Sequence, residues 1–189
     1  MPMERTALPI DGSSDQRDRI LNILAPYGAG ALAVAARFGA RIVVLHEDDR
    51  YSDRSPVLRR IGAGVDRWPI PPAGLFVVEE RTIYLRHVTP MTVAHEFGHA
   101  LDAALGGGVY RSGIDPVIRR AFAAAEKFVT PYSASSCDEW VAENLRAYVS
   151  VNDTHSLWPR ATRERLFEVD PRMGAIVKTL FEEELNPAA

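Results

Sequence analysis

The chain has 189 residues, 47% of them hydrophobic and 25% charged, the ordinary balance of a soluble globular protein with material for one core. A formal net charge of −3 with no basic run argues against a nucleic-acid partner, and a lone cysteine, Cys137, excludes an internal disulfide. No segment approaches the roughly 18 consecutive apolar residues of a membrane span. Met1-Pro2-Met3-Glu4-Arg5-Thr6 has no apolar stretch of signal-peptide length, so the expected address is the cytoplasm or a leaderless, effector-type export route. Oligomeric state is not legible.

Residues 1–14 are polar and carry Gly, Ser and Pro, which predicts a loose arm ahead of one domain over 15–189. From Asp15 to Arg37 the pattern is helical, interrupted at Pro26, Gly28 and Gly30 and stopped by Gly39. Arg41-Ile42-Val43-Val44-Leu45 is a β-branched run that predicts a buried strand. His46 to Trp68 is polar and broken, and predicts loop with one short helix. Leu75–Val78 and Thr82–Leu85, parted by Glu79-Glu80-Arg81, predict a hairpin. Helical patterns follow over about 90–105, 115–129, 136–151, 158–168 and 171–184. The last opens on Asp170-Pro171, a cap and a first-turn proline, and Met173, Ile176, Val177, Leu180 and Phe181 share one face. A small sheet followed by helices makes the class α+β.

The stretch from Thr89 to Asp102 carries the chemistry. It contains His95-Glu96-Phe97-Gly98-His99, an HExxH sequence. Thr89 suits a cap, Pro90 the first helical position, and Gly106-Gly107-Gly108 a stop. Ala94, Phe97, Leu101 and Ala104 form an apolar stripe to pack on the sheet, which puts His95 and His99 one turn apart on the opposite face, able to reach one Zn²⁺. Glu96 is rotated too far to share that ion and is placed to act as a general base on water. Two histidines on an exposed face also occur by chance, but seldom on a helix with a cap, a stop and a matching stripe.

A catalytic zinc takes three protein ligands and keeps one position open. The longer metzincin motif is excluded, because Asp102 and Leu105 stand where it needs glycine and histidine. Glu139 and Glu143 share a helix face downstream, so one can bind zinc while the other steadies a ligand histidine. Ser136-Cys137-Asp138-Glu139 reads as a capping box that would occupy Glu139, whereas Ser135 to Asp138 supplies the looser version and frees it. The residues leave both carboxylates open, with Glu139 preferred as ligand, and Asp102 joins Glu143 as a candidate supporting carboxylate. His46, His87, His155 and Cys137 are weaker candidates.

At these positions the chain resembles the catalytic domain of anthrax lethal factor and its smaller relatives, the Pro-Pro endopeptidases. Besides HExxH, the resemblance rests on Tyr132 seven positions before Glu139, on Glu143 four after it, and on the acidic-aromatic run Asp138 to Glu143. Arg163-Glu164-Arg165-Leu166 followed by Asp170-Pro171 extends it, and the whole runs from about Leu75 to the end. It implies a zincin-like domain, in which a small sheet with an edge hairpin packs on the HExxH helix ahead of a helical C-terminal part. It further implies a gluzincin-like zinc endopeptidase acting on a protein or peptide, in the manner of a toxin protease. His95, His99 and Glu139 would be the ligands, Glu96 the base and Tyr132 a hydroxyl donor to the oxyanion. Thr82, Ile83, Tyr84, Leu85 and Arg86 would be the edge that pairs with an extended substrate. Signal peptides and separate binding domains, usual in those relatives, are not seen here. Two other readings compete. A cytoplasmic zincin that cleaves a repressor would normally sit beside a helix-turn-helix module, and none is found; a non-catalytic zinc module would have four protein ligands.

Overall fold

The computed structural model describes residues 7–156 and 158–186. Among the described residues, β1 (Ile10–Asp11), β2 (Arg41–Val44), β3 (Gly74–Val77) and β4 (Thr82–Leu85) form one sheet in the order β1-β2-β4-β3. β1 and β4 run parallel to β2, while β3 and β4 make the expected antiparallel hairpin. The class is therefore α+β, with a small mixed sheet.

Two expectations change at the sheet. Ile10–Asp11, inside the segment expected to be loose, pair with β2, and Ser13 caps the helix that follows; residues 1–6 of that arm lie outside the described residues. The second concerns the edge. Thr82, Ile83, Tyr84 and Leu85 are flanked by β2 and β3 and fully enclosed, and the Arg86 N–H is spent on the Ala73 carbonyl at 2.8 Å. With both sides used, β4 has no free backbone to offer. The outer strand of the hairpin is β3, and β1 forms the opposite edge of the sheet.

Helices α1 (Ser14–Leu24) and α2 (Gly28–Phe38) are joined by a turn at Ala25–Tyr27. Ser14–Phe38 is long and apolar enough to cross a membrane, while Ile20, Leu24, Tyr27, Ala31 and Ala35 within it are fully buried in the core. Short helices α3 (Tyr51–Arg54) and α4 (Pro56–Ile61) occupy the region read as loop with one short helix. After the hairpin come α5 (Pro90–Leu105), α6 (Arg111–Ile114), α7 (Pro116–Ala123), α8 (Cys137–Tyr148), α9 (Arg163–Val169) and α10 (Pro171–Thr179). A wider π-helical turn, Leu180–Leu185, continues α10.

α5 is the centre of the molecule. Thr89 caps it by accepting from the Thr92 N–H, Pro90 opens it, and Gly106 and Gly107 (φ 69°) end it. Every residue from Val93 to Ala103 is buried, because β3 and β4 pack on one side, α1 and α2 on another and α8 on a third. The expected stripe of Ala94, Phe97 and Leu101 does face into the core, but the histidine face is covered too. What brings α8 so close is a pair of small residues. A Cβ at Gly98 would sit 3.0 Å from both the Cα and the carbonyl oxygen of Ala142. Gly98→Val is therefore expected to cost about 1–3 kcal/mol of stability, the usual penalty of overpacking, and denaturant titration would measure it.

Candidate metal centre

Gly98 and Ala142 each lie between chemically active neighbours, so the tight crossing of α5 and α8 also fixes the site. His95 and His99 project from α5 toward Glu139 in the first turn of α8. Their Nε2 atoms are 3.2 Å apart, and Glu139 Oε2 lies 2.9 Å from the first and 3.2 Å from the second. A tetrahedral ion with bonds of about 2.0–2.1 Å holds its ligand atoms about 3.3 Å apart. The trio matches that spacing, and it is a group of the described residues able to hold a metal ion.

The proton positions point the same way. Burial acts to raise the Glu143 pKa, but hydrogen bonds from His95 and Arg146 outweigh it and hold the carboxyl below its ordinary range. An ionised Glu143 can only accept, so His95 Nδ1, 2.9 Å from its Oε1, carries the hydrogen. In the neutral ring the His95 Nε2 lone pair then faces a Glu139 oxygen, another acceptor, and a cation or a proton must lie between them. Burial opposes a charged His95, yet Glu139 and Glu143 prevail and push its pKa up to about 10. Glu139 shows the counterpart: burial works upward, and the two histidines pull its pKa well below the usual carboxylate range. The residues fit a divalent cation with nitrogen and oxygen ligands.

Behind the trio lies a network of buried polar groups. Glu143 accepts from Arg146 Nε at 2.9 Å and Nη2 at 2.8 Å, and from Thr130 Oγ1 at 2.6 Å. Arg146, 1% exposed, spends Nη1 on the Val151 carbonyl and Asn152 Oδ1. Every charge in this chain of contacts is paired, which is what makes its burial tolerable. Neither Arg146 nor Thr130 was among the sequence candidates; the i, i+3 spacing of Glu143 and Arg146 on one helix is the signal that could have found the first. Because Glu143 orients the ring of a candidate ligand without itself belonging to the trio, Glu143→Ala is expected to weaken metal binding about 10–100-fold. Competition against a calibrated chelator would measure it.

Ser136, not Ser135, caps α8, accepting from the Glu139 N–H. The Glu139 side chain does not close the box. Its Oε1 instead accepts from the Tyr132 hydroxyl at 2.9 Å, which leaves Oε2 for the histidines. The Tyr132 ring stands 5.4 Å from that of His95 and remains 45% exposed at the open side of the site. Burial and the neighbouring Glu139 carboxylate both raise its pKa, so the phenol keeps its hydrogen.

Glu96 is buried against the outer strand. A Cβ at Gly74 would lie 2.8 Å from Glu96 Cγ and 2.6 Å from Thr92 Cγ2, so only glycine lets β3 pass this close to α5. Burial raises the Glu96 pKa, although His95 and His99 pull against it. Asp102 does not support a ligand. Its carboxylate turns to α6, where it takes the Ser112 N–H at 3.0 Å and the Ser112 hydroxyl, and His99 Nδ1 has no hydrogen-bond partner among the described residues. Tyr110, unremarked in the sequence, packs its ring 5.5 Å from that of His99 instead. Cys137 donates to the Ser112 carbonyl, and His46, His87 and His155 are exposed.

A cleft of about 760 Å³ opens beside the trio, with Gly74, His95, Glu96, Tyr132 and Arg146 among its lining residues. No family model and no curated protein matches the sequence. The fold does match a solved structure, the Pro-Pro endopeptidase PPEP-2 from Paenibacillus alvei, with a TM-score of 0.65 at 17% identity. The match covers 92% of this chain and 96% of that one. At this identity it establishes the likeness of the fold.

Proposed function

We propose that this chain is a zinc-dependent endopeptidase that hydrolyses peptide bonds in a protein or peptide substrate. The observation that carries the reading is the convergence of His95 Nε2, His99 Nε2 and Glu139 Oε2 within 2.9–3.2 Å of one another, next to an open cleft that His95 lines. Three ligands beside open space suit a catalytic site, whereas a structural zinc is usually closed by four. The likeness to PPEP-2, an endopeptidase by name, agrees with this in fold.

His95, His99 and Glu139 would hold the ion. Zinc there would supply Lewis-acid chemistry, polarising the scissile carbonyl and making water a nucleophile near neutral pH. Glu96, one residue from a ligand and lining the same cleft, would take the proton of the attacking water and pass it to the leaving nitrogen. Its raised pKa suits a group that must hold a proton between those two steps. Tyr132 would donate its hydroxyl to the carbonyl oxygen as negative charge builds there. Glu143, backed by Arg146 and Thr130, would keep His95 turned with Nε2 toward the ion. The strand that offers its backbone to an extended substrate would be β3, since of the two edge strands it is the one whose residue, Gly74, lines the cleft.

Metal analysis of the purified chain should return one zinc, and a diverse peptide library should be cleaved. A folded chain with no affinity for added zinc would end the proposal.

A further inference from the structure

Two segments that line the cleft are each fastened by hydrogen bonds to the rest of the fold. One is the segment Ile70 to Ala73. The Tyr51 hydroxyl donates to the Pro72 carbonyl at 2.6 Å, and the Ala73 carbonyl accepts from Arg86 and His87 at 2.8 and 3.0 Å. The other is formed by Met91, in the first turn of α5, and Trp158, on the connection from α8 to α9. Asp153 ties that connection to the Met91 N–H at 2.8 Å. Its base is closed by Asn152, which donates to the Ala161 carbonyl at 2.8 Å and accepts the Ala161 N–H at 2.9 Å. Ile70 and Trp158 are 85% and 45% exposed, so the fastened segments present apolar surface to solvent right beside the trio.

The polar groups at the floor have nothing left to offer. Glu143 is filled by His95, Arg146 and Thr130, and Arg146 is filled by Glu143, Val151 and Asn152. His95, Glu96 and Tyr132 belong to the reaction, which leaves His87, exposed, as the one further titratable group lining the space among the described residues. A charged side chain entering here would lose water and find no further partner but His87, itself exposed to solvent. An apolar one would cover Trp158 and the Pro71-Pro72 wall and gain by it.

Building on the peptidase reading, we propose that this cleft is a specificity subsite. It accepts a bulky aliphatic or aromatic side chain of the substrate next to the scissile bond, gripped between Pro71-Pro72 and Met91-Trp158, and it rejects charged residues.

The test is a peptide library varied one position at a time around the cleaved bond. At one adjoining position, kcat/KM for Leu, Met or Phe should exceed that for Gly, Asp or Lys by on the order of 10–200-fold, the range that differences in filling an apolar pocket give. Trp158→Ala should shrink that preference about tenfold, with zinc content and circular dichroism confirming the fold. A flat or charge-seeking profile in the wild type, or an apolar preference untouched by both Trp158→Ala and Met91→Ser, overturns the subsite while leaving the peptidase reading intact. Should zinc-loaded protein cleave no peptide, the peptidase reading falls, and binding of the same library to Glu96→Gln protein, read by tryptophan fluorescence, decides the subsite alone. Tighter binding of the apolar peptides supports it, and indifference overturns it.

Discussion

Glu96→Gln is expected to keep one zinc per chain and lose turnover by on the order of 10²–10⁴-fold, the contribution of a positioned general base. Glutamine has the same shape, and the space for it is already fixed by Gly74 and Thr92, whose close approach leaves this side chain little freedom. The amide cannot accept a proton from water, so the change removes chemistry and little else. The three candidate ligand atoms belong to His95, His99 and Glu139, so zinc affinity should stay near that of the wild type. Kinetics on any cleaved peptide, at matched zinc occupancy, would give the comparison. If the variant loses its metal, Glu96 is a ligand and the division of roles is wrong. If it keeps both metal and activity, the proton passes through another group.

How much of this site could be read from the sequence depends on how far apart its parts lie. His95, Glu96 and His99 are legible because a helix fixes their relation locally, and Thr89, Pro90 and Gly106 mark where that helix begins and ends. The α8 cap is local too, but it settles between Ser135 and Ser136 only when Ser136 is seen to accept the Glu139 N–H while the Glu139 carboxylate turns away to Tyr132. Sheet order is another matter. The two apolar runs Leu75–Val78 and Thr82–Leu85 predict the hairpin but say nothing about which strand faces outward, and that is decided by the parallel pairing of β2 with β4, some 41 residues apart in register. Asp102 fails for a similar reason: three residues beyond His99 it has the right spacing to help, yet Ser112 in α6 offers it two donors. Arg146 and Thr130 acquire meaning only once α8 and the preceding turn fold around Glu143. The two-residue strand Ile10–Asp11 is too short to carry any periodic signal.

Tyr132→Phe is expected to lower kcat by on the order of 10²–10³-fold while zinc content and fold remain those of the wild type. The argument starts from where the hydroxyl is. It rests on Glu139 Oε1 at 2.9 Å, on the exposed side of the trio, with the ring braced 5.4 Å from His95. Raised in pKa, the phenol keeps its hydrogen at neutral pH and can swing it from a carboxylate oxygen to a carbonyl oxygen as charge develops there. Phenylalanine keeps the ring and its packing and deletes the donor. A second role is available to the same contact, because holding Oε1 also decides that Oε2 faces the histidines. The two roles separate in measurement. An oxyanion donor shows as a loss in kcat at full zinc occupancy, with KM nearly constant, since the interaction forms only as the reaction proceeds. An orienting role shows as weaker zinc binding, with turnover restored once the metal is saturating. Activity within about threefold of wild type, under ~1 kcal/mol, together with unchanged zinc affinity, would leave Tyr132 as packing beside His95 and assign the oxyanion to another donor.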